Sequence, residues 1–182
     1  MSGRVVDLYQ LTAAGVRDGV LAGRRVTVLG LARSGVALAR FFADAGCRVT
    51  VYDRRPSGEL VPAIEALGGR AVELALGPTV DPVGTWTGAD LIATSPSINP
   101  DFPTTEPQLR EALRAVVDAH RANPAGAPAL VSEADLVLRM CPCPTVGVTG
   151  TKWREGPRRL HPGAHPESRA PECDQRYRRR VC

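Results

Sequence analysis

The chain has 182 residues, with 23 Lys and Arg against 19 Asp and Glu and an isoelectric point near 9.0, a balance that ordinarily directs attention to nucleic acid. Its distribution argues against that for most of the chain: residues 1–151 hold 14 basic and 15 acidic side chains and residues 152–182 hold 9 and 4, so the whole excess of +4 lies after Thr151. There is no apolar run of 18 residues and no basic segment leading into an apolar one, so neither a membrane span nor a secretory signal is expected, and a cytoplasmic location fits.

The first 24 residues read as an amphipathic N-terminal extension with no assigned role. Arg25-Val26-Thr27-Val28-Leu29-Gly30 predicts a short buried strand ending in a glycine turn. A helix follows from Ser34 to Ala45, buried through Val36, Leu38, Ala39, Phe41 and Phe42 at helical spacing. Arg48 to Asp53 is a second strand ending in an acid, and Leu60 to Leu67 suits a helix closed by Gly68-Gly69. Ala71 to Ala75 is a third strand. Asp90 to Thr94 is a fourth, stopped at Ser95-Pro96 because proline removes a donor and restricts the residue before it. Glu106 to Arg121 is the longest helix, with Pro107 near its start and Leu109, Leu113, Val116 and Val117 on one face. Ala129 to Val131 is a further strand, and Ser132 caps a helix reaching Met140, with Asp135 in its first turn. Strands alternating with helices predict an α/β, Rossmann-like parallel sheet with helices on both faces.

About 150 ordered residues is enough for one core that buries roughly two thirds of the unfolded surface. The five cysteines, Cys47, Cys141, Cys143, Cys173 and Cys182, are odd in number and poorly spaced for a disulfide framework. Cys141-Pro142-Cys143 lacks a second ligand pair, so no metal site is expected.

In such sheets ligands bind beyond the carboxyl ends of the strands, where strand order reverses. Three pieces of the sequence meet there. Gly30-Leu31-Ala32-Arg33-Ser34-Gly35 permits a tight turn and close helix packing, and the helix that follows offers free N–H groups to an anion. Ser34 either caps that helix or donates to a phosphate. Asp53, 23 residues after Gly30, is placed to accept hydrogen bonds from a ribose or base and is followed by Arg54 and Arg55. Ser95-Pro96-Ser97 is the loop leaving the fourth strand. A fourth piece, Val146-Gly147-Val148-Thr149-Gly150-Thr151, reads as a buried strand entering a phosphate loop, but Lys152-Trp153-Arg154-Glu155 does not complete it.

These four motifs, in this order over about residues 24–152, resemble the N-terminal part of the Mur ligases of the MurD type. The resemblance implies three domains: a Rossmann-like domain binding the UDP part of the substrate, a central ATPase domain beginning at the phosphate loop, and a C-terminal domain. On this reading residues 25–144 are the UDP-substrate domain, 145–152 the truncated start of the ATPase domain, and 153–182 a basic tail. The family's reaction, carboxylate activation by ATP and magnesium followed by attack of D-glutamate on UDP-N-acetylmuramoyl-L-alanine, belongs to peptidoglycan synthesis. By motif position the loop Ala32, Arg33 and Ser34 faces the diphosphate, with Gly30 also counted among the UDP-binding residues. Asp53 with Arg54 holds the uracil with Arg55 beside them, and Ser95 and Ser97 contact the nucleotide-sugar region. Ser97 stands where the family more often has glycine. The phosphate-loop remnant is Gly147, Thr149, Gly150, Thr151 and Lys152. Trp153 stands for the loop's second glycine, Arg154 for its lysine and Glu155 for its hydroxyl, so neither ATP nor magnesium is expected to bind this chain and no ATP hydrolysis is expected from it.

The tail is Arg- and Pro-rich without apolar periodicity and is expected to be disordered. Lys152 is the single lysine against 22 arginines, which suits a GC-rich gene and a tail read out of frame. Two other readings compete with the ligase fragment. One is a small NAD(P)-binding protein using Gly30, Gly35 and Asp53, which Ala32 disfavours because a second glycine usually stands there. The other is a nucleic-acid binder acting through the tail.

Overall fold

A computed structural model describes residues 5–145, Thr104 excepted. The phosphate-loop remnant Gly147, Thr149, Gly150, Thr151 and Lys152 and the tail 153–182 lie outside the described residues. Within them five strands run in chain order as β1 (Arg25–Leu29), β2 (Arg48–Asp53), β3 (Val72–Leu76), β4 (Leu91–Thr94) and β5 (Ala129–Ser132). Six helices accompany them: α1 (Ala13–Arg17), α2 (Arg33–Asp44), α3 (Val61–Glu65), α4 (Pro82–Thr85), α5 (Pro107–Ala122) and α6 (Glu133–Met140). Every strand pair is parallel, in the order β3-β2-β1-β4-β5. The α/β, Rossmann-like sheet read from the alternation of strand and helix patterns is the fold observed.

Alternation along the strands divides the core into two layers, because successive side chains of a strand point to opposite faces. Val26, Val28, Val49, Val51, Leu91, Ala93, Ala129 and Val131 face one side, where they pack against Leu38, Ala39 and Phe42 of α2 and Leu136 of α6. Leu29, Tyr52 and Ile92 face the other, against Leu109 and Leu113 of α5 and Trp86 just past α4. The segment before β1 belongs to the first layer: Val6, Leu11 and Leu21 are fully buried there. It is also tied by hydrogen bonds, since the Arg139 guanidinium donates to the Leu8 carbonyl at 2.9 Å and the Cys47 thiol to that of Leu21 at 3.3 Å.

Two elements differ from expectation. The helix expected over Leu60 to Leu67 is a 3-10 turn, Ser57–Leu60, followed by the five-residue α3. Pro62 has no N–H to give, and the chain tightens at the far end through Leu67 N–H to Ile64 and Gly68 N–H to Glu65 carbonyl bonds before Gly68 and Gly69 turn it at positive φ. The four-residue α4 was not expected, being too short to show periodicity. Its signal was chemical: Asp81 accepts from the N–H groups of Val83 and Gly84, with Pro82 at the first helical position.

The start of α6 follows the sequence expectation. Ser132 Oγ accepts from Asp135 N–H at 3.1 Å and the Asp135 carboxylate accepts from Ser132 N–H at 2.9 Å, a reciprocal cap. Ser132→Ala is expected to cost about 1 kcal/mol and lower the melting temperature by about 3 °C, read by circular dichroism.

Candidate functional site

The sheet reverses direction of growth between β1 and β4, and the loops leaving these two strands and β2 converge at their carboxyl ends. Gly30 leaves β1 at φ +90°, a conformation that glycine adopts without strain. Its N–H donates to the Tyr52 carbonyl at 2.7 Å, pinning the turn to β2. A Cβ at Gly30 would stand 3.0 Å from Ile98 Cδ1 and 3.3 Å from Ser95 Oγ, so glycine also allows the β4 loop to close over the turn. Gly35, inside α2, lies against the Gly30 carbonyl so tightly that any Cβ would overlap it. These two positions fix how near α2 comes to the end of β1.

Asp53 locks the arrangement from β2. Its Oδ2 accepts from Leu31 N–H at 2.7 Å and from Arg55 Nη2 at 2.8 Å, and its Oδ1 from Arg55 N–H at 2.9 Å and Arg55 Nε at 3.1 Å. Four donors thus satisfy a carboxylate that is only 7% exposed. Burial by itself raises its pKa. The Arg55 guanidinium, the Leu31 and Arg55 N–H groups and the Arg55 charge outweigh that and hold the carboxyl below its ordinary value of 3.8. The Asp53 hydrogen bonds in turn raise the pKa of Arg55.

Arg54 points elsewhere, its Nη1 3.2 Å from Glu106 Oε2 at the N-terminus of α5. In the β4 loop Ser95, 4% exposed, meets Ser97 with 3.1 Å between hydroxyl oxygens. The buried Thr105 hydroxyl accepts from Asn99 N–H at 3.0 Å and donates to the Ser97 carbonyl at 3.4 Å, holding the loop against the start of α5. The N-terminus of α2 has Ala32 as its cap residue and receives no side-chain cap. Ser34, at the second helical position, is therefore not the cap.

Between these loops lies a hollow of about 340 Å³ bounded by Gly30, Asp53, Arg54, Ser97, Ile98 and Glu106. Of the residues read from the sequence, Gly30, Asp53, Arg54 and Ser97 line it, whereas Ala32, Arg33, Ser34, Arg55 and Ser95 do not. Tyr52, Ile98, Thr105, Glu106 and Leu109 line it without having been expected as site residues. Only Glu106 carried a readable signal, as the acid immediately before Pro107 at the mouth of a helix.

The β1 glycine turn, the β2 acid and the serine loop of β4 wall this hollow. The family model for the Mur ligase MurD-like N-terminal domain matches residues 24–121, which contain all of these walls. The chain belongs to that family. Similar relatives of the MurD type are three proteins named UDP-N-acetylmuramoylalanine–D-glutamate ligase. That of Pelobacter propionicus is 39% identical over 134 residues, covering 74% of this chain and 26% of its own. That of Trichlorobacter lovleyi is 36% identical with the same coverage, and that of Anaeromyxobacter dehalogenans is 40% identical over 135 residues, 74% of this chain and 25% of its own. The chain thus spans about a quarter of the length of the curated relatives it matches. Among solved structures, apo D-lactate dehydrogenase from Escherichia coli covers 64% of this chain and 46% of its own at 19% identity and a TM-score of 0.34, a likeness too slight to weigh on fold or function.

Among the described residues of this MurD-like domain, no group of His, Cys, Asp and Glu side chains is suited to a metal ion, and no helix is long and apolar enough to cross a membrane.

Proposed function

We propose that this chain is the UDP-substrate-binding part of a ligase that joins D-glutamate to UDP-N-acetylmuramoyl-L-alanine in cytoplasmic peptidoglycan synthesis. The observation that carries the reading is the hollow at the carboxyl ends of β1, β2 and β4, walled by residues inside the family match. The uncapped N-terminus of α2 at Ala32, Arg33 and Ser34 offers backbone N–H groups to the diphosphate. Asp53 and Arg54 border the uracil, and Ser95 and Ser97 serve the sugar side. Because four donors already satisfy Asp53, a uracil N–H gains its carboxylate only by displacing an Arg55 donor. Asp53 then acts chiefly by fixing the Leu31 turn that the nucleotide rests on. In this reading residues 25–144 are the binding domain, 145–152 the start of an ATPase domain and 153–182 a tail outside the function.

The donor set for ATP and magnesium does not fit. Trp153, Arg154 and Glu155 stand where a phosphate loop requires glycine, lysine and a hydroxyl. No catalytic step is assigned to this chain, and it is not expected to hydrolyse ATP. Isothermal titration of the 182-residue chain with UDP-N-acetylmuramoyl-L-alanine tests the reading: saturable heat is expected, and none at millimolar ligand overturns it. Quenching of NADH fluorescence by the chain would favour a dinucleotide-binding protein instead.

A further inference from the structure

Two carboxylates of the described residues bound the hollow, Asp53 and Glu106, and only the first is spent. Four donors satisfy Asp53. Of the hydroxyls beside it, that of Thr105 is taken up between Asn99 N–H and the Ser97 carbonyl, and that of Ser97 is paired with Ser95. Glu106 immediately precedes the first turn of α5, yet its side chain makes no cap bond to that helix. Its Oε2 meets Arg54 Nη1 at 3.2 Å, and among the described residues Oε1 has no hydrogen-bond partner. Arg54 likewise commits only Nη1, so Nε and Nη2 keep their protons for a ligand. The Arg54 and Glu106 side chains are 65% and 44% exposed and both line the hollow, within reach of a molecule that enters it. The pair sets a charged acceptor beside charged donors, and Ile98 and Leu109 supply apolar surface of the kind a pyrimidine ring packs on.

Resting on the nucleotide reading above, in which Arg54 stands at the uracil and the diphosphate lies at the N-terminus of α2, we propose that Glu106 is the residue that tells uracil from cytosine. Uracil presents its N3–H between two carbonyl oxygens, the edge by which proteins identify an unpaired base. Glu106 Oε1 accepts the N3–H, and Arg54 donates to the adjoining carbonyl oxygen while keeping its bond to Oε2. Cytosine carries a bare nitrogen at position 3. Its lone pair meets an acceptor-only carboxylate, so binding loses a charge-assisted hydrogen bond and gains a repulsion. The two acids of the hollow then divide the work: Asp53 shapes the turn on which the nucleotide rests, and Glu106 identifies the base.

The experiment is calorimetric titration of the full chain and of its Glu106→Gln variant with UDP, with CDP and with 3-methyl-UDP, whose methyl group replaces the N3 proton. The parent is expected to bind UDP at least about tenfold more tightly than either of the other two. A glutamine amide offers an acceptor to uracil and a donor to cytosine, so in Glu106→Gln the preference for UDP over CDP is expected to fall to about twofold or less. Removing a negative charge near a diphosphate strengthens both nucleotides by the same factor, so their ratio isolates base identification from charge. A parent that binds UDP no more tightly than CDP or 3-methyl-UDP overturns the proposal while leaving the nucleotide reading intact. A preference for UDP that survives undiminished in Glu106→Gln overturns it too, since another group then reads the base. A parent that binds no nucleotide at millimolar concentration removes the nucleotide reading, and the role of Glu106 with it. Matching melting curves establish that the variant is folded.

Discussion

Gly35→Ala is expected to lower the stability of the domain by at least about 3 kcal/mol, equivalent to about 10 °C in melting temperature, and to abolish any nucleotide binding. A Cβ at Gly35 overlaps the Gly30 carbonyl oxygen and stands 2.8 Å from the carbonyl carbon. Both are backbone atoms at the end of β1, with no rotamer to relieve the clash. The Gly30 N–H is at the same time bonded to Tyr52, so the turn has no slack on the strand side. Relief must come from lifting α2, which carries Leu38, Ala39 and Phe42 into the core. The helix then loses burial and the turn its shape together. Gly58→Ala is the control: nothing lies within 4 Å of a Cβ there and its φ is not positive, so stability should change by less than about 0.5 kcal/mol. Thermal unfolding followed by circular dichroism checks both. A Gly35→Ala protein that melts like its parent would mean that α2 does not sit on the β1 turn.

That packing was legible in the sequence because it rests on periodicity and glycine spacing. Buried strands rich in valine, the helical repeat through Leu38, Ala39 and Phe42, and two glycines five apart all report the same strand-turn-helix unit. Local chemistry was equally plain at Ser132 and Asp135, whose reciprocal bonds need only three residues of chain. What stayed hidden depends on contacts distant in sequence. Thr105 reaches Ser97 and Asn99 across a loop, and Glu106 reaches Arg54 across 52 positions, and no spacing rule predicts either. The first 24 residues showed amphipathic character without a destination, because Val6 and Leu11 acquire meaning only once the sheet exists to bury them. Asp53 was visible as a strand-end acid, yet its saturation by Leu31 and Arg55 follows from the turn's three-dimensional path.

Asp53→Asn tests that saturation most directly. The substitution keeps size and one acceptor but turns the other oxygen into a donor facing Leu31 N–H or the Arg55 fork, and it removes the charge that holds Arg55. Leaving a buried donor unpaired costs about 1–3 kcal/mol. Arg55 is 45% exposed and its share is reduced by solvent, so about 2 kcal/mol overall is expected near neutral pH, or about 5–8 °C in melting temperature. The sign of the pH dependence follows from the direction of the shift. The folded-state pKa of Asp53 lies below 3.8, so the unfolded chain takes up its proton first as pH falls. The stabilisation is complete above the ordinary carboxylate range and is lost as pH drops through the folded value. The gap in stability between parent and Asp53→Asn should therefore be widest near pH 7 and close as pH falls below the ordinary carboxylate range and through the lowered folded value. Urea unfolding at a series of pH values measures it, and a gap that stays constant down to the lowest pH would show that the carboxylate contributes no charge-dependent stability. Nucleotide binding separates the two roles of the residue. If Asp53 works by fixing the Leu31 turn, UDP and uridine should lose affinity by similar factors in Asp53→Asn, because both rest on that turn. A loss confined to UDP would instead mean that the residue acts through Arg55 on the phosphates.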